Sequence, residues 1–308
     1  MQRIKKDTKI LVVGSANMDM VITAPHFPQP GETIAGYGFM PNHGGKGANQ
    51  AVAAARLGAK VAFVGKVGND QFGQAMKDMM CQEGIDVSAL SVASQIPTGV
   101  ALITTVPSGE NTIVIEPGAN AQLTPEDVEQ AEELFEDAGI VLMQLETPVT
   151  TLIKAAELAK QHGAYVVLNP APAPVTPLPD ALLQHVDLLI PNETEAAAIS
   201  GTEVVTTDDV PGAMERLHSM GIKNVIITLG SKGAYASVEG SIMKVEAEKV
   251  EAVDTTAAGD TFCGAVCVAL SEGRSITEAV EFANRAAAIT VTRMGAPSSL
   301  PSRREVES

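Results

Sequence analysis

The sequence predicts an α/β fold of three layers, with helices on both faces of a mostly parallel central sheet and a small β element that projects from it. Three observations carry this. Short β-branched apolar runs without polar alternation recur along the chain, as in strands covered on both faces. Helix signals fall between them, which is the rhythm of a parallel sheet. Two early stretches, about residues 17–43 and 97–118, break that rhythm with Pro, Gly and alternating β patterns.

The strand runs are 10–13, 61–64, 140–145, 165–168, 187–190 and 225–229. Thr124-Pro125-Glu126-Asp127 supplies an N-cap, a proline at the first helical position and acids in the first turn. Thr147-Pro148 repeats that device, and Gly163 ends the helix it starts. Asn192-Glu193-Thr194-Glu195 and Ser275-Ile276-Thr277-Glu278 read as capping boxes. Pro107-Ser108-Gly109-Glu110 separates two alternating runs and marks a hairpin. The expected organisation is one domain over residues 1–308, with the projecting β element built discontinuously from the two early stretches.

A chain of 308 residues with 45% hydrophobic side chains suits one large domain with a sizeable core. The net charge of −16, from 37 acids against 21 bases, argues against nucleic acid or an anionic membrane as a broad partner. The basic start Met1-Gln2-Arg3-Ile4-Lys5-Lys6 imitates a signal peptide, but the apolar run 10–13 is too short for one and reads as the first strand. No segment approaches a membrane span, so a cytoplasmic location is expected. Cys81, Cys263 and Cys267 form neither a disulfide framework nor a zinc site, and the five histidines are scattered.

The stretch Val253–Ala265, VDTTAAGDTFCGA, carries the sharpest question: Asp260 follows Ala257, Ala258 and Gly259 at the mouth of an apolar helix. The first amides of a helix have no internal partner and, with the macrodipole, bind anions. An acid there is a plain cap or, beside a bound anion, a group that takes a proton from an attacking hydroxyl. In NHGGKGANQAVAAARLG, residues 42–58, Gly44, Gly45 and Gly47 precede an Ala-rich helix. This is either a tight turn into the core or a helix start presenting amides, Lys46 and Asn49 to a polar ligand. It is no P-loop, and Gln50 stands where a dinucleotide motif wants a third glycine. Asn17 and Asp19 follow the first strand and suit vicinal hydroxyls. Asn192 and Glu195 suit Mg²⁺ held through water, and Gly230 with Gly233 makes an open loop for a nucleotide.

GGKGANQAVAAARLG and DTTAAGDTFCGA resemble the two signature segments of the ribokinase-like carbohydrate kinase family. GSANMD, MQLE, NPAPA, PNETEA, TLGSKG and VTRMGAPSS add to the resemblance in the expected order, over nearly the whole chain. The resemblance implies a ribokinase-like fold in which the small β-sheet, about residues 17–43 and 97–118, is a lid over the sugar, and MgATP-dependent phosphorylation of the 5-hydroxyl of D-ribose, with homodimers formed through the lid. It implies Asp260 as catalytic base and the amides of Ala257, Ala258 and Gly259 as an anion hole. Asn17, Asp19, Gly45, Lys46, Gly47, Asn49 and Glu146 would hold the sugar. Asn192, Thr228, Leu229, Gly230, Ser231, Lys232, Gly233, Gly259 and Asn284 would touch the nucleotide, and Glu195 would act near Mg²⁺. A monovalent cation, K⁺, would sit among Asp254, Thr256, Thr290, Arg293, Gly295 and Ser299. Related readings are a kinase for deoxyribose, fructose or a nucleoside. Readings from other classes are a nicotinamide-dependent oxidoreductase and a sugar sensor without catalysis.

Overall fold

Alternate side chains of a strand point to opposite faces, and in this chain both sets are apolar. Ile10 and Val12 of the first strand enter one core, while Leu11 and Val13 enter another. A sheet of such strands must be covered on both sides. The computed structural model describes residue 4, residues 8–238 and residues 240–308; the basic residues Arg3, Lys5 and Lys6 of the N-terminal stretch lie outside the described residues.

The strands are β1 (Lys9–Val13), β2 (Asn17–Thr23), β3 (Tyr37–Gly44), β4 (Val61–Gly68), β5 (Asp86–Ala93), β6 (Gly99–Thr105), β7 (Asn111–Glu116), β8 (Ala138–Met143), β9 (Tyr165–Leu168), β10 (Leu188–Leu189), β11 (Asn224–Thr228), β12 (Ala234–Val238) and β13 (Ser241–Val245). Nine of them form one sheet in the order β13-β12-β11-β10-β9-β8-β1-β4-β5. From β11 to β5 every neighbouring pair is parallel; β12 and β13 are antiparallel additions. The helices Lys46–Arg56, Gln71–Gln82, Ala258–Ser271 and Ile276–Val291 bury one face of the sheet. Pro125–Gln130, Val149–Gln161, Glu193–Ser200 and Val210–Ser219 bury the other. The three-layer reading of the sequence therefore holds.

The caps at Thr124, Asn192 and Ser275 form as reciprocal boxes, each worth about 1 kcal/mol. The Thr147-Pro148 device does not. Pro148 itself is the N-cap, in an extended conformation, so the helix begins one residue late and the buried Thr147 hydroxyl has no hydrogen-bond partner. The run 140–145 stops as a strand at Met143, and 187–190 pairs only at Leu188–Leu189. Gln144 and Ile190, beyond the ends of β8 and β10, lead into the site described below, whereas Asp187 lies at the other end of β10 and accepts from the Val166 amide at 2.8 Å and from Lys160 at 2.7 Å. Cys263 and Cys267 are buried core residues, as expected of small apolar side chains.

A second sheet has the order β3-β2-β6-β7. β2 pairs antiparallel with β3 and parallel with β6, and β6 turns back into β7 through Gly109, at φ 88°. Among the described residues no helix is long and apolar enough to cross a membrane.

Candidate active site

In open α/β sheets ligands bind beyond the carboxyl ends of the strands. Ser15 and Asn17 follow β1, Gln144 and Glu146 follow β8, Asn169 follows β9, Asn192 follows β10 and the 228–233 loop follows β11. Two helix starts face this edge, and they differ.

The first opens the helix Lys46–Arg56. Gly45 has φ 88°, and a Cβ there would lie 2.8 Å from the Asn17 amide nitrogen. A Cβ on Gly47 would lie 2.6 Å from the Ser15 amide nitrogen. These glycines let the helix press its first turn against the end of β1. The Lys46 amide donates to Glu146 Oε2 at 3.1 Å, the Gly47 amide to Ser15 Oγ at 3.3 Å and the Ala48 amide to the Ser15 carbonyl at 2.9 Å. The expectation that these amides are presented to a ligand is thereby corrected: the protein's own oxygens accept from them. What this start offers the cleft is side chains, Lys46 and Asn49.

Ser15 Oγ also donates to Glu146 Oε2 at 2.5 Å, which fixes Glu146 beside Lys46. Burial opposes the Lys46 charge, yet Asp260, Glu146 and Glu195 together outweigh it and hold the ammonium above its ordinary pKa. Asp19 lies on β2, its carboxylate packed against Gly44. Burial, reinforced by the charges of Glu146 and Asp260 and opposed by Lys46, pushes its carboxyl up to about 7. Asn17 accepts from Asn120 Nδ2 at 2.7 Å, and Asn120 Oδ1 accepts from the Ala16 amide at 2.9 Å.

The second start opens the helix Ala258–Ser271. Its N-cap is Ala257, at φ 60°, the one non-glycine residue with positive φ among the described residues. That conformation costs an alanine about 1–2 kcal/mol. Among the described residues the Gly259 and Asp260 amides have no backbone acceptor, and the Ala258 amide has only a long one, the Thr255 carbonyl at 3.3 Å. A Cβ on Gly259 would meet nothing within 4 Å. Asp260 is buried; its Oδ2 accepts from Asn49 Nδ2 and its Oδ1 from Gln50 Nε2, both at 3.0 Å. Lys46, Asn169, Asn192, Glu195, Thr228, Ala257, Gly259, Asp260 and Cys263 line one cavity of about 230 Å³. A larger hollow of about 340 Å³, between β5 and residues 127–134, contains none of these groups.

Asn192 and Glu195 cap their helix reciprocally: the Asn192 amide donates to Glu195 Oε2 at 2.9 Å, and Asn192 Oδ1 accepts from the Glu195 amide at 2.8 Å. Burial raises the Glu195 carboxyl, against the Asn192 amide and Lys46, which lower it. Asn192 forms a parallel bridge with Thr228, joining it to the next loop. In that loop Leu229 and Gly233 are buried, while Gly230, Ser231 and Lys232 are exposed. Asn284 does not reach this loop directly; its Nδ2 donates to the Glu246 carbonyl at 3.0 Å and so holds the segment after β13.

Asp254 ties two segments together, accepting from the Thr256 amide at 2.9 Å and the Gly295 amide at 2.8 Å. Burial would raise its carboxyl, but those bonds outweigh it and keep the group below the usual carboxylate range. Thr290 is buried against Thr261, at 2.9 Å between hydroxyls, and Ser299 Oγ is buried with no hydrogen-bond partner. The Arg293 side chain pairs with Glu305 at 2.6 Å. Among the described residues no group of three or more His, Cys, Asp or Glu side chains could hold a metal ion.

A helix start with amides that lack backbone acceptors among the described residues, a buried acid beside it and a polar floor at the strand ends suit a transferase acting on an alcohol. Residues 7–303 match the pfkB family of carbohydrate kinases, and the chain belongs to that family. It is a sugar kinase, which leaves the oxidoreductase reading without support. It is 48% identical over 296 residues to a ribokinase of Haemophilus influenzae, covering 96% of each chain. To a ribokinase of Staphylococcus aureus it is 41% identical over 303 residues, covering 97% of this chain and 98% of the other. The solved structure of Arabidopsis thaliana ribokinase complexed with ribose and ATP superposes with a TM-score of 0.91 at 36% identity, covering 97% of both chains.

Proposed function

We propose that the chain transfers the γ-phosphoryl group of ATP to the 5-hydroxyl of D-ribose, giving ribose 5-phosphate and ADP. The observation that carries this reading is the buried Asp260 carboxylate beside amides that have no backbone acceptor among the described residues. Similarity over nearly the whole length to proteins named ribokinase supports the choice of sugar.

In this reading Asp260 takes the proton of the 5-hydroxyl as the new O–P bond forms and the bond from phosphorus to the ADP oxygen breaks. Phosphoryl transfer needs positioning and charge neutralisation more than covalent help. The Gly259 and Asp260 amides, with the weakly held Ala258 amide, supply both without reorganising. Asn17, Asp19, Lys46, Asn49 and Glu146 hold the sugar, and Gly45 and Gly47 shape its floor. Asn192 and the 228–233 loop hold the nucleotide.

Mg²⁺ would arrive with ATP, and Glu195, a buried acid that lines the cavity, fits a role beside it through bridging water. The residues at the expected K⁺ site also fit, because the buried Ser299 hydroxyl lacks a partner and Asp254 supplies charge close by. Asp254, Thr256, Thr290, Arg293, Gly295 and Ser299 would hold that ion, mostly through carbonyl groups.

The lid supports a homodimer. Register places Asp19, Ala101 and Ile115 side by side on one face, and Val21, Met40, Ile103 and Ile113 two residues further out on that face. Met40, Ile113 and Ile115 are exposed. A second lid laid on this face would bury apolar surface and close over the sugar at once. The assembly would work in the cytoplasm, where ATP and free sugar meet.

The test is ADP release, coupled to an optical readout, with D-ribose, 2-deoxyribose, fructose and a nucleoside offered in turn. Ribose is expected to give the highest kcat/KM by at least about tenfold. A higher value for another sugar reassigns the substrate, and no ATP turnover with any of them would leave the sugar-sensor reading.

A further inference from the structure

Four buried amide side chains converge behind Asp260, and only one of them, Asn49, belongs to the proposed sugar site. Gln50 Nε2 donates to Asp260 Oδ1 and to Asn169 Oδ1, both at 3.0 Å. Gln50 Oε1 accepts from Gln144 Nε2 at 2.6 Å. Asn169 Nδ2 donates to the Ile190 carbonyl at 2.8 Å.

These bonds leave each amide one orientation. The Ile190 carbonyl can only accept, so Asn169 must turn its nitrogen there and its oxygen toward Gln50. Gln50 must then present nitrogen to Asn169, which is also what the Asp260 carboxylate requires. Its oxygen is left facing Gln144, which must donate. The chain of constraint ends at Gln144 Oε1, which is buried without a partner. An unpaired buried acceptor costs about 1–3 kcal/mol. Turning Gln144 over would pair nothing better, because two oxygens would then face each other at Gln50. Gln144 and Asn169 are the first residues after β8 and β9, so the chain anchors Asp260 to the rigid sheet.

We propose that Gln50, oriented by Gln144 and Asn169, is the positioning residue that aims the Asp260 carboxylate. Gln50 holds Oδ1 as Asn49 holds Oδ2, each by one hydrogen bond at 3.0 Å, so the carboxylate plane is fixed while Oδ2, on the side of Asn49, keeps a lone pair to take the proton. This rests on the reading of Asp260 as the base. Gln50 itself is fully buried behind Asp260 and does not line the cavity.

The test compares steady-state kinetics of Gln50→Met, Gln144→Met, their double variant and Asp260→Asn. Gln50→Met should lose roughly 10–100-fold in kcat, the scale of a misaimed group, with the KM for ribose and for ATP within about threefold. Gln144→Met should lose less, roughly 3–10-fold, because it acts one bond further away. The double variant should be no slower than Gln50→Met, since Gln144 works only through Gln50. A kcat for Gln50→Met within twofold of the parent, or losses that multiply in the double variant, would overturn the inference. If Gln50→Met does not fold, Gln144→Met decides alone: a fall in kcat at constant KM supports the inference and an unchanged kcat rejects it. Parental turnover in Asp260→Asn would instead reject the base itself.

Discussion

Two helices begin at the same edge of the sheet with glycine in their first turns, yet one start is closed and the other open. At Lys46–Arg56 the glycines admit neighbouring backbone, and Ser15 and Glu146 accept from the amides. At Ala258–Ser271 the glycine has empty space beside it, and two amides have no backbone acceptor among the described residues. The macrodipole is common to both. Whether a helix start is an anion site therefore depends on what the fold has already placed against it. Here the closed start has its amides taken up by the protein's own oxygens, and the open one has two without a backbone acceptor among the described residues, as the proposed phosphoryl site requires.

The largest expected effect tests the open start through its acid. Asp260→Asn should lower kcat by roughly 10²–10⁴-fold while calorimetry finds ribose and ATP still bound. A turnover within tenfold of the parent would show that the open start works without a base.

A paired glycine experiment sharpens the contrast. Gly259→Ala adds a methyl group where there is room, and alanine favours a helix by about 1 kcal/mol over glycine. Its melting temperature should hold or rise. Its kcat/KM for ATP should fall at least about tenfold, because the methyl group occupies ground the phosphoryl group needs. Gly47→Ala pushes a methyl group against the backbone of Gly14 and Ser15, which cannot swing aside. It should lose about 1–3 kcal/mol in urea unfolding. If Gly259→Ala were the unstable variant and Gly47→Ala the merely slow one, the two starts would have been assigned the wrong way round.

The open start was readable in the sequence because its chemistry is local: Ala257, Ala258, Gly259 and Asp260 are consecutive, and an apolar helix follows at once. The closed start was not. Glycines before a helix look alike whether they admit a ligand or another strand, and what fills this start, Ser15 and Glu146, comes from 31 and 100 residues away from Lys46. Gln50 was visible only as a missing glycine, and Gln144 and Asn169 only as members of the segments MQLE and NPAPA, with no role attached. Their roles arise where four elements meet, which no spacing along the chain encodes. The strands of the sheet, apolar on both faces, were the easiest to find. β5, at the edge with alternating polar residues, gave no such run.

The smallest effect concerns the acid that the closed start holds. Asp19 has its pKa raised to about 7 in the folded protein, so near neutral pH it is about half protonated. A raised carboxyl favours folding below its unfolded pKa and loses that contribution as pH rises through about 7. Asp19→Asn should therefore gain stability over the parent above pH 7 and little at pH 4. Sugar hydroxyls donating to this carboxylate favour its ionised form and lower the pKa again. Ribose binding at pH 7 should then release up to about half a proton, seen as a dependence of the calorimetric enthalpy on the buffer's ionisation enthalpy. At pH 9, where Asp19 is already ionised, the release should vanish, and Asp19→Asn should show none at either pH. Proton uptake at pH 7 would mean that the sugar meets a neutral Asp19, and that the charge at the closed start is carried by Glu146 alone.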